Sequence, residues 1–371
     1  MAAPHHRHQI SLQGFVNLSA SPPLADTVRV EAGERFHQII DHFTASDTSA
    51  AAGPTSYNRP ELDNVLRAFF RAIELPMDGP AIDLSDNEQA EALRARVAGF
   101  AGYLVDNFFL PLRASTARTP QPTPHYRSAT LRSSSHDFVG TPERLSTLRG
   151  DCLTRDGHRC VISRAFDMIR ARERETPEGW IVDDVGEQIV DSNVHYLEVA
   201  HILPHSLVHV ASDEELSETK RTALEILNMF DNDVAHLING VDIDRPHNAL
   251  TLTLDLHRAF GAFDIYFTQI PDRPHTYRIE TFRRIGFQVM FPVTRTLYLS
   301  ADQSIDPPAP RLLALHRAIG HILHLSGAGS YIDNILRKFE EEQLVQCNGS
   351  TPLGESVQLR LNRWDATAIN S

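Results

Sequence analysis

The chain has 371 residues, of which 42% are hydrophobic and 22% charged, and carries a formal charge of -13. That length accommodates two domains with cores of their own, and no apolar run approaches the ~20 residues a membrane span requires. The acidic balance excludes a protein that coats nucleic acid along its whole surface, because phosphate binding draws on clustered Lys and Arg.

The chain divides into three regions. Residues 1–113 read as helical: amphipathic stretches run around Phe36 to Phe43 and Leu62 to Ile73. A third begins at a capping box of Ser85 and Glu88, with Leu93, Val97, Phe100, Leu104 and Phe108 recurring at steps of three and four before Pro111. Residues 114–140, rich in Ser, Thr, Pro and Arg with Pro120, Pro122 and Pro124 close together, have linker composition.

Residues 141–267 carry the motifs. Asp156-Gly157 predicts a turn leading into a short strand through Cys160, and His195 to Leu203 predicts a second strand. A capping box at Ser212 and Glu215 opens a helix running to about Phe230, part of a helical insert over 212–240. Asp244-Arg-Pro-His-Asn248 reads as a turn, and Leu250 to Phe260 as the start of a helix. Residues 268–371 read as an α/β extension packed on this domain, with strands over Tyr277 to Phe282 and Phe287 to Leu299 and helices over Arg311 to Leu325 and Tyr331 to Leu344. The expected fold class is α+β.

The three cysteines, Cys152, Cys160 and Cys347, include no Cys-x-x-Cys pair, so neither a disulfide framework nor a zinc ribbon is indicated. Any metal is then held by His, Asn, acids or water. The amino terminus, Met1-Ala-Ala-Pro-His-His-Arg-His, lacks the apolar core of a secretory signal; the expectation is an intracellular protein, nuclear or cytoplasmic, not secreted, with Asn348-Gly-Ser350 an unused glycosylation match.

Phosphodiester hydrolysis needs a deprotonated water, a cation on the phosphate oxygens and a scaffold that holds both near phosphorus. His201, at a strand end in Val199-Ala-His-Ile-Leu-Pro204, is the candidate base, since imidazole accepts a proton near neutral pH. Asn248 and His257 stand nine positions apart. Asn248 is the candidate brace that ties the loop to the strand so that both histidines face one cleft, and His257 is the candidate metal ligand. His205 and His209 lie near in sequence and are read as spectators. For His316, His321 and His324, which alternate with Leu315, Ile319 and Leu323, an ordinary packed helix is the favoured reading. Between Arg127 and Arg174, ten arginines stand against six acids, the one section where phosphate is welcome.

Cys160-Val-Ile-Ser163, Val199-Ala-His-Ile-Leu-Pro204 and Asn248-Ala-Leu-Thr-Leu through His257-Arg-Ala-Phe260 together resemble the HNH endonucleases, in particular a branch with an Ala-His-Ile-x-Pro strand abundant among fungal proteins. The resemblance spans about Leu148 to Phe267. It implies a ββα-metal (His-Me finger) core in which His201 activates water, Asn248 braces the loop and His257 binds a divalent cation, usually Mg2+, with Mn2+, Ni2+ or Zn2+ as substitutes. The implied partner is nucleic acid, DNA in the leading reading, with Arg155, Arg159 and Arg258 as candidate phosphate contacts. Ala200 departs from the family pattern, in which the residue before the base supplies a ligand. Glu198, two positions back on the same strand face, is the candidate replacement. Ala200 and the acidic balance also motivate an alternative: a degenerate HNH module that binds nucleic acid or protein without cutting.

Overall fold

A computed structural model of the protein describes residues 23–44, 63–79, 82–116, 141–183, 186–190, 193–207, 218–283, 290–300 and 304–345. Helices and small sheets are mixed along the chain, an α+β arrangement. Contacts among the described residues fall into two units, one drawn from Pro111–Lys220 and Leu237–Ser371, the other from Gln13–Leu110 and Arg221–His236.

In the helical unit, α1 (Asp26–Thr44), α2 (Asp63–Ala72) and α3 (Asn87–Leu104) share one core. Leu66, Phe69, Phe70 and Ile73 recur at helical spacing and are buried together with Ala32, Ile39 and Leu93. Phe69 meets Phe36 edge-on at 4.7 Å and Phe100 at 5.9 Å. The Arg29 guanidinium forks onto the buried Asp63 carboxylate at 2.7 and 3.1 Å. Burial opposes ionisation of Asp63, but Arg29 and the Leu24 amide outweigh it and hold its pKa below the usual range.

Two details differ from the sequence-based expectation. The cap of α3 is Asp86, whose Oδ1 accepts from the Glu88 amide at 3.0 Å and the Gln89 amide at 3.5 Å; Ser85 instead donates its hydroxyl to Asp83 at 2.6 Å. A carboxylate one position further on reaches the free amides of the first turn, so the helix starts one residue later than a Ser85 cap requires. Nor does the helix stop before Pro111. Val105–Phe109 form a π turn, closed by the Leu110 amide on the Val105 carbonyl, and α4 (Leu110–Thr116) continues from it. Pro111 then sits in the first turn of a new α segment, where no amide hydrogen is needed. Most of the expected linker, residues 117–140, lies outside the described residues.

The other unit takes in residues 111–116 and then α5 (Thr141–Arg155), a helix that the sequence pattern does not announce. The turn at Asp156-Gly157 is present, with Gly157 and His158 at positive φ. The segment beyond this turn is not the expected strand. The Cys160 amide bonds to the Ala165 carbonyl and the Arg164 amide to the Cys160 carbonyl, closing Cys160–Arg164 into a tight knuckle. The sulfur of Cys160, fully buried, accepts from the Ser163 amide at 3.4 Å.

Short strands β1 (Phe166–Asp167), β2 (Ile181–Val182), β3 (Gln188–Ile189) and β4 (Val194–His195) surround α6 (Met168–Glu173). β5 (Leu197–His201) ends one residue past Ala200, and α7 (Glu218–Phe230) closes where the sequence predicts; its expected capping box at Ser212 lies outside the described residues.

The predicted helix start at Leu250 is also corrected. Ala249–Thr253 form β6, antiparallel to β5 with Leu197 opposite Thr253 and His201 opposite Ala249, and the helix α8 (Leu254–Gly261) begins only afterwards. The run Ala-Leu-Thr-Leu-Thr alternates with period two and contains two β-branched residues, a strand signal that the helical spacing of Leu256, Phe260 and His257 obscures.

β7 (Ile265–Gln269), β8 (Thr276–Thr281) and β9 (Val293–Thr296) form an antiparallel meander backed by α9 (Pro310–Leu325), with α10 (Ala328–Val345) beyond. The expected strand from Phe287 is shorter, and residues 284–289 lie outside the described residues. His316 of α9 stacks on Phe260 at 3.9 Å, and its Nε2 lies 3.1 Å from the Phe260 carbonyl. Burial pushes its pKa down to about 3. His321 and His324 pack against Phe282, so this histidine series serves packing.

Candidate functional site

The β5–β6 ribbon delivers His201 to its end, where two loops meet. One loop continues from Ile202 to a single 3-10 turn, His205–Leu207; the other comprises the 3-10 turns Gly240–Asp244 and Pro246–Asn248 that precede β6. Asn248 clamps them together. Its Oδ1 accepts the Leu203 amide, and its Nδ2 donates to the carbonyls of Leu203 and Ile243, all three bonds at 2.9 Å. With a relative exposure of 0%, this amide satisfies both its hydrogens inside the protein. The Ile202 amide adds a bond to the Asn248 carbonyl, prolonging the ribbon by one step.

The clamp brings Asp244 onto two histidines. Asp244 Oδ1 lies 3.2 Å from His201 Nε2 and 2.7 Å from His205 Nδ1. The other oxygen, Oδ2, faces Arg144 Nε of α5 at 3.8 Å. Burial opposes ionisation of this carboxyl, yet the charge of His205 and hydrogen bonds from both imidazoles more than offset it, so Asp244 stays ionised far below the usual carboxylate range. An ionised carboxylate only accepts hydrogen bonds, which places the ring hydrogen of a neutral His201 on Nε2. Its lone pair is then on Nδ1, a buried nitrogen with no hydrogen-bond partner among the described residues.

His257, on the buried face of α8, pairs differently. Its Nδ1 lies 2.7 Å from Glu198 Oε2 on β5, and Glu198 keeps its side chain 26% exposed. Strand alternation puts Glu198 and Ala200 on one face of β5 and Leu197, Val199 and His201 on the other. His201 finds Asp244 and His205, and His257 finds Glu198. Among the described residues, the one group of three potential ligands whose donor atoms all lie within 4.8 Å of one another is His201, His205 and Asp244.

Residues 160–268 match the model of the HNH endonuclease family. The match covers less than a third of the chain; it takes in the knuckle, β5, β6, α8 and nearly all of β7. A search of curated proteins returned no match, and a search of solved structures returned none either. Within the HNH segment, the resemblance seen in the sequence rests on His201, Asn248 and His257, and Ala200, 1% exposed, offers no donor.

Two members of the His201 cluster are absent from the sequence-based candidates. Asp244 reads there only as part of a turn, although an acid four positions before Asn248 is a signal in itself. His205 reads as a spectator, although its spacing of four from His201 across Pro204 brings the rings to 6.1 Å between centroids. His209 lies outside the described residues.

The phosphate contacts expected at Arg155 and Arg159 also change. Arg155 is 1% exposed, forks onto Asp156 at 2.8 and 2.9 Å and donates to the carbonyls of Pro246 and Ala249. It is a strut that fixes the end of α5 to the start of β6, and no phosphate reaches it. Arg159 reaches Asp183 at 2.8 Å and lies over the Phe166 ring. Arg258, on the outer face of α8, is exposed.

Proposed function

We propose that this protein is a metal-dependent HNH-type endonuclease that hydrolyses phosphodiester bonds in DNA. The observation that carries the reading is the state of His201 within the family-matched segment: Nε2 is committed to an ionised Asp244, so Nδ1 holds the lone pair that a base requires. In this reading β5, β6 and α8 are the two strands and helix of a ββα-metal core, and Asn248 fixes the loop on which the base depends.

The donor pair of Glu198 and His257, one carboxylate and one imidazole 2.7 Å apart on strand and helix, fits a divalent cation such as Mg2+ that binds through few protein groups and completes its shell with water and phosphate. Such a cation supplies charge stabilisation to the phosphate oxygens. His201 Nδ1 takes a proton from water, whose oxygen attacks phosphorus as the P–O bond to the leaving oxygen breaks. Asp244 stabilises the imidazolium that forms. Arg258 is the candidate phosphate contact that remains on the surface. No helix among the described residues is long and apolar enough to cross a membrane.

Supercoiled plasmid with Mg2+ or Mn2+ tests the reading. The full chain nicks it, and the His201→Ala variant does not; equal behaviour of the two overturns the proposal. The competing reading, a module that binds without cutting, has Ala200 in its favour, and it predicts plasmid retention with no nicking under the same conditions.

A further inference from the structure

We propose that His201, His205 and Asp244 form a second metal site, selective for a zinc-class transition-metal ion, whose occupation disables the His201 base. The site itself stands on geometry alone, whereas its effect on cleavage rests on the function proposed above.

Three donor atoms converge: His201 Nε2, His205 Nδ1 and Asp244 Oδ1. The carboxylate oxygen stands 3.2 and 2.7 Å from the two nitrogens. Tetrahedral zinc with bonds of 2.0–2.1 Å puts neighbouring ligand atoms roughly 3.3 Å apart, so Oδ1 needs to move only a fraction of an ångström from each nitrogen to admit an ion. Two imidazoles and one carboxylate are a borderline-soft donor set, which favours zinc over Mg2+. Their side chains are 2%, 8% and 1% exposed, so the ligands are shielded from bulk water.

The arrangement is pre-set by Asn248. One side-chain amide holds the Leu203 carbonyl, between the two histidines in sequence, and the Ile243 carbonyl, next to Asp244. Both ligand-bearing loops are thus locked by a residue outside the cluster, the kind of support that orients metal ligands. Arg144 is the cation that faces the cluster, and it addresses Oδ2, leaving Oδ1 to the ion.

The consequence for the base comes from counting hydrogens. A neutral imidazole has one ring hydrogen. With the ion absent it lies on Nε2, bonded to Asp244, and Nδ1 accepts. With an ion on Nε2 the same hydrogen resides on Nδ1, and a nitrogen that donates cannot take a proton from water. No proton leaves the ring, yet the base is lost.

The test begins with full-length protein carrying His257→Ala, which removes the imidazole of the other candidate site, stripped with chelator and titrated with Zn2+ by calorimetry. One equivalent is expected, and adding His205→Ala or Asp244→Asn weakens it about tenfold or more. X-ray absorption at the zinc edge of the His257→Ala protein, which needs no further variant, shows two imidazoles and no sulfur. Absence of zinc binding, affinity unmoved by both second substitutions, or sulfur in the shell overturns the site. Nicking in Mg2+ is then measured with and without stoichiometric Zn2+. Suppression in the wild type, and loss of that zinc sensitivity in His205→Ala relative to its own zinc-free rate, supports the switch; zinc bound at these residues without suppression overturns it. Zinc binding in a protein that nicks nothing in Mg2+ alone leaves the site standing and removes the nuclease reading, while nicking without zinc binding does the reverse.

Discussion

Asp244 Oδ1 lies between His201 Nε2 and His205 Nδ1, at 3.2 and 2.7 Å, so one carboxylate oxygen serves two imidazoles on a single loop. Asp244 touches neither water nor phosphate in the proposed reaction and acts by orienting His201. Replacing it with Asn keeps the shape but removes the charge and the fixed tautomer. Nicking is expected to fall roughly 100-fold in kcat, with KM for DNA little changed. A merely structural role would lower the folded fraction and leave the kcat of the folded protein intact, which unfolding curves run alongside the kinetics distinguish.

Arg155 is placed for stability. Removing its side chain leaves Asp156 buried and strips the Pro246 and Ala249 carbonyls of their donor. Arg155→Met is expected to cost about 3–5 kcal/mol in urea unfolding, the usual loss when one partner of a buried pair is removed. The salt dependence of DNA binding should not change with it, whereas Arg258→Ala should reduce that slope by about one.

His316 sets a pH dependence of stability. Its pKa falls from 6.5 to about 3 on burial, so the folded ring stays neutral where the unfolded ring takes a proton. The unfolded chain therefore binds more protons below about pH 6.5. The stability is full above that pH and declines as pH drops towards 3, by up to ~1.4 kcal/mol per unit from this group. His316→Phe keeps an aromatic ring against Phe260 and removes the titration. Between pH 7.5 and 5, the wild type should lose more urea stability than the variant.

The elements legible in the sequence are those whose signal is local. Helical spacing locates α1 to α3, α9 and α10, and the end of α7. The motif residues His201, Asn248 and His257 stand out together with their family resemblance. Where a signal depends on a partner, the structure departs from the sequence pattern. Leu250 and Leu252 fit either a helix or a strand until β5 pairs with them. The knuckle after Gly157 is held by Cys160–Ala165 and Val161–Thr251 backbone bonds, the second reaching across 90 positions, and no local pattern announces it.

By itself the sequence determined which candidate donors the chain carries, that its cysteines form no Cys-x-x-Cys pair, and the helical spacing of the stretches that become α1 to α3. Only the tertiary structure decided how the histidines are partnered. His201 and Asp244 are 43 positions apart, and Glu198 and His257 are 59 apart. Composition fixes which donors exist, but alternation on β5 and the Asn248 clamp fix where each one points. The same folding took Arg155 away from solvent, because a guanidinium with five donors satisfies buried carbonyls that no local residue reaches.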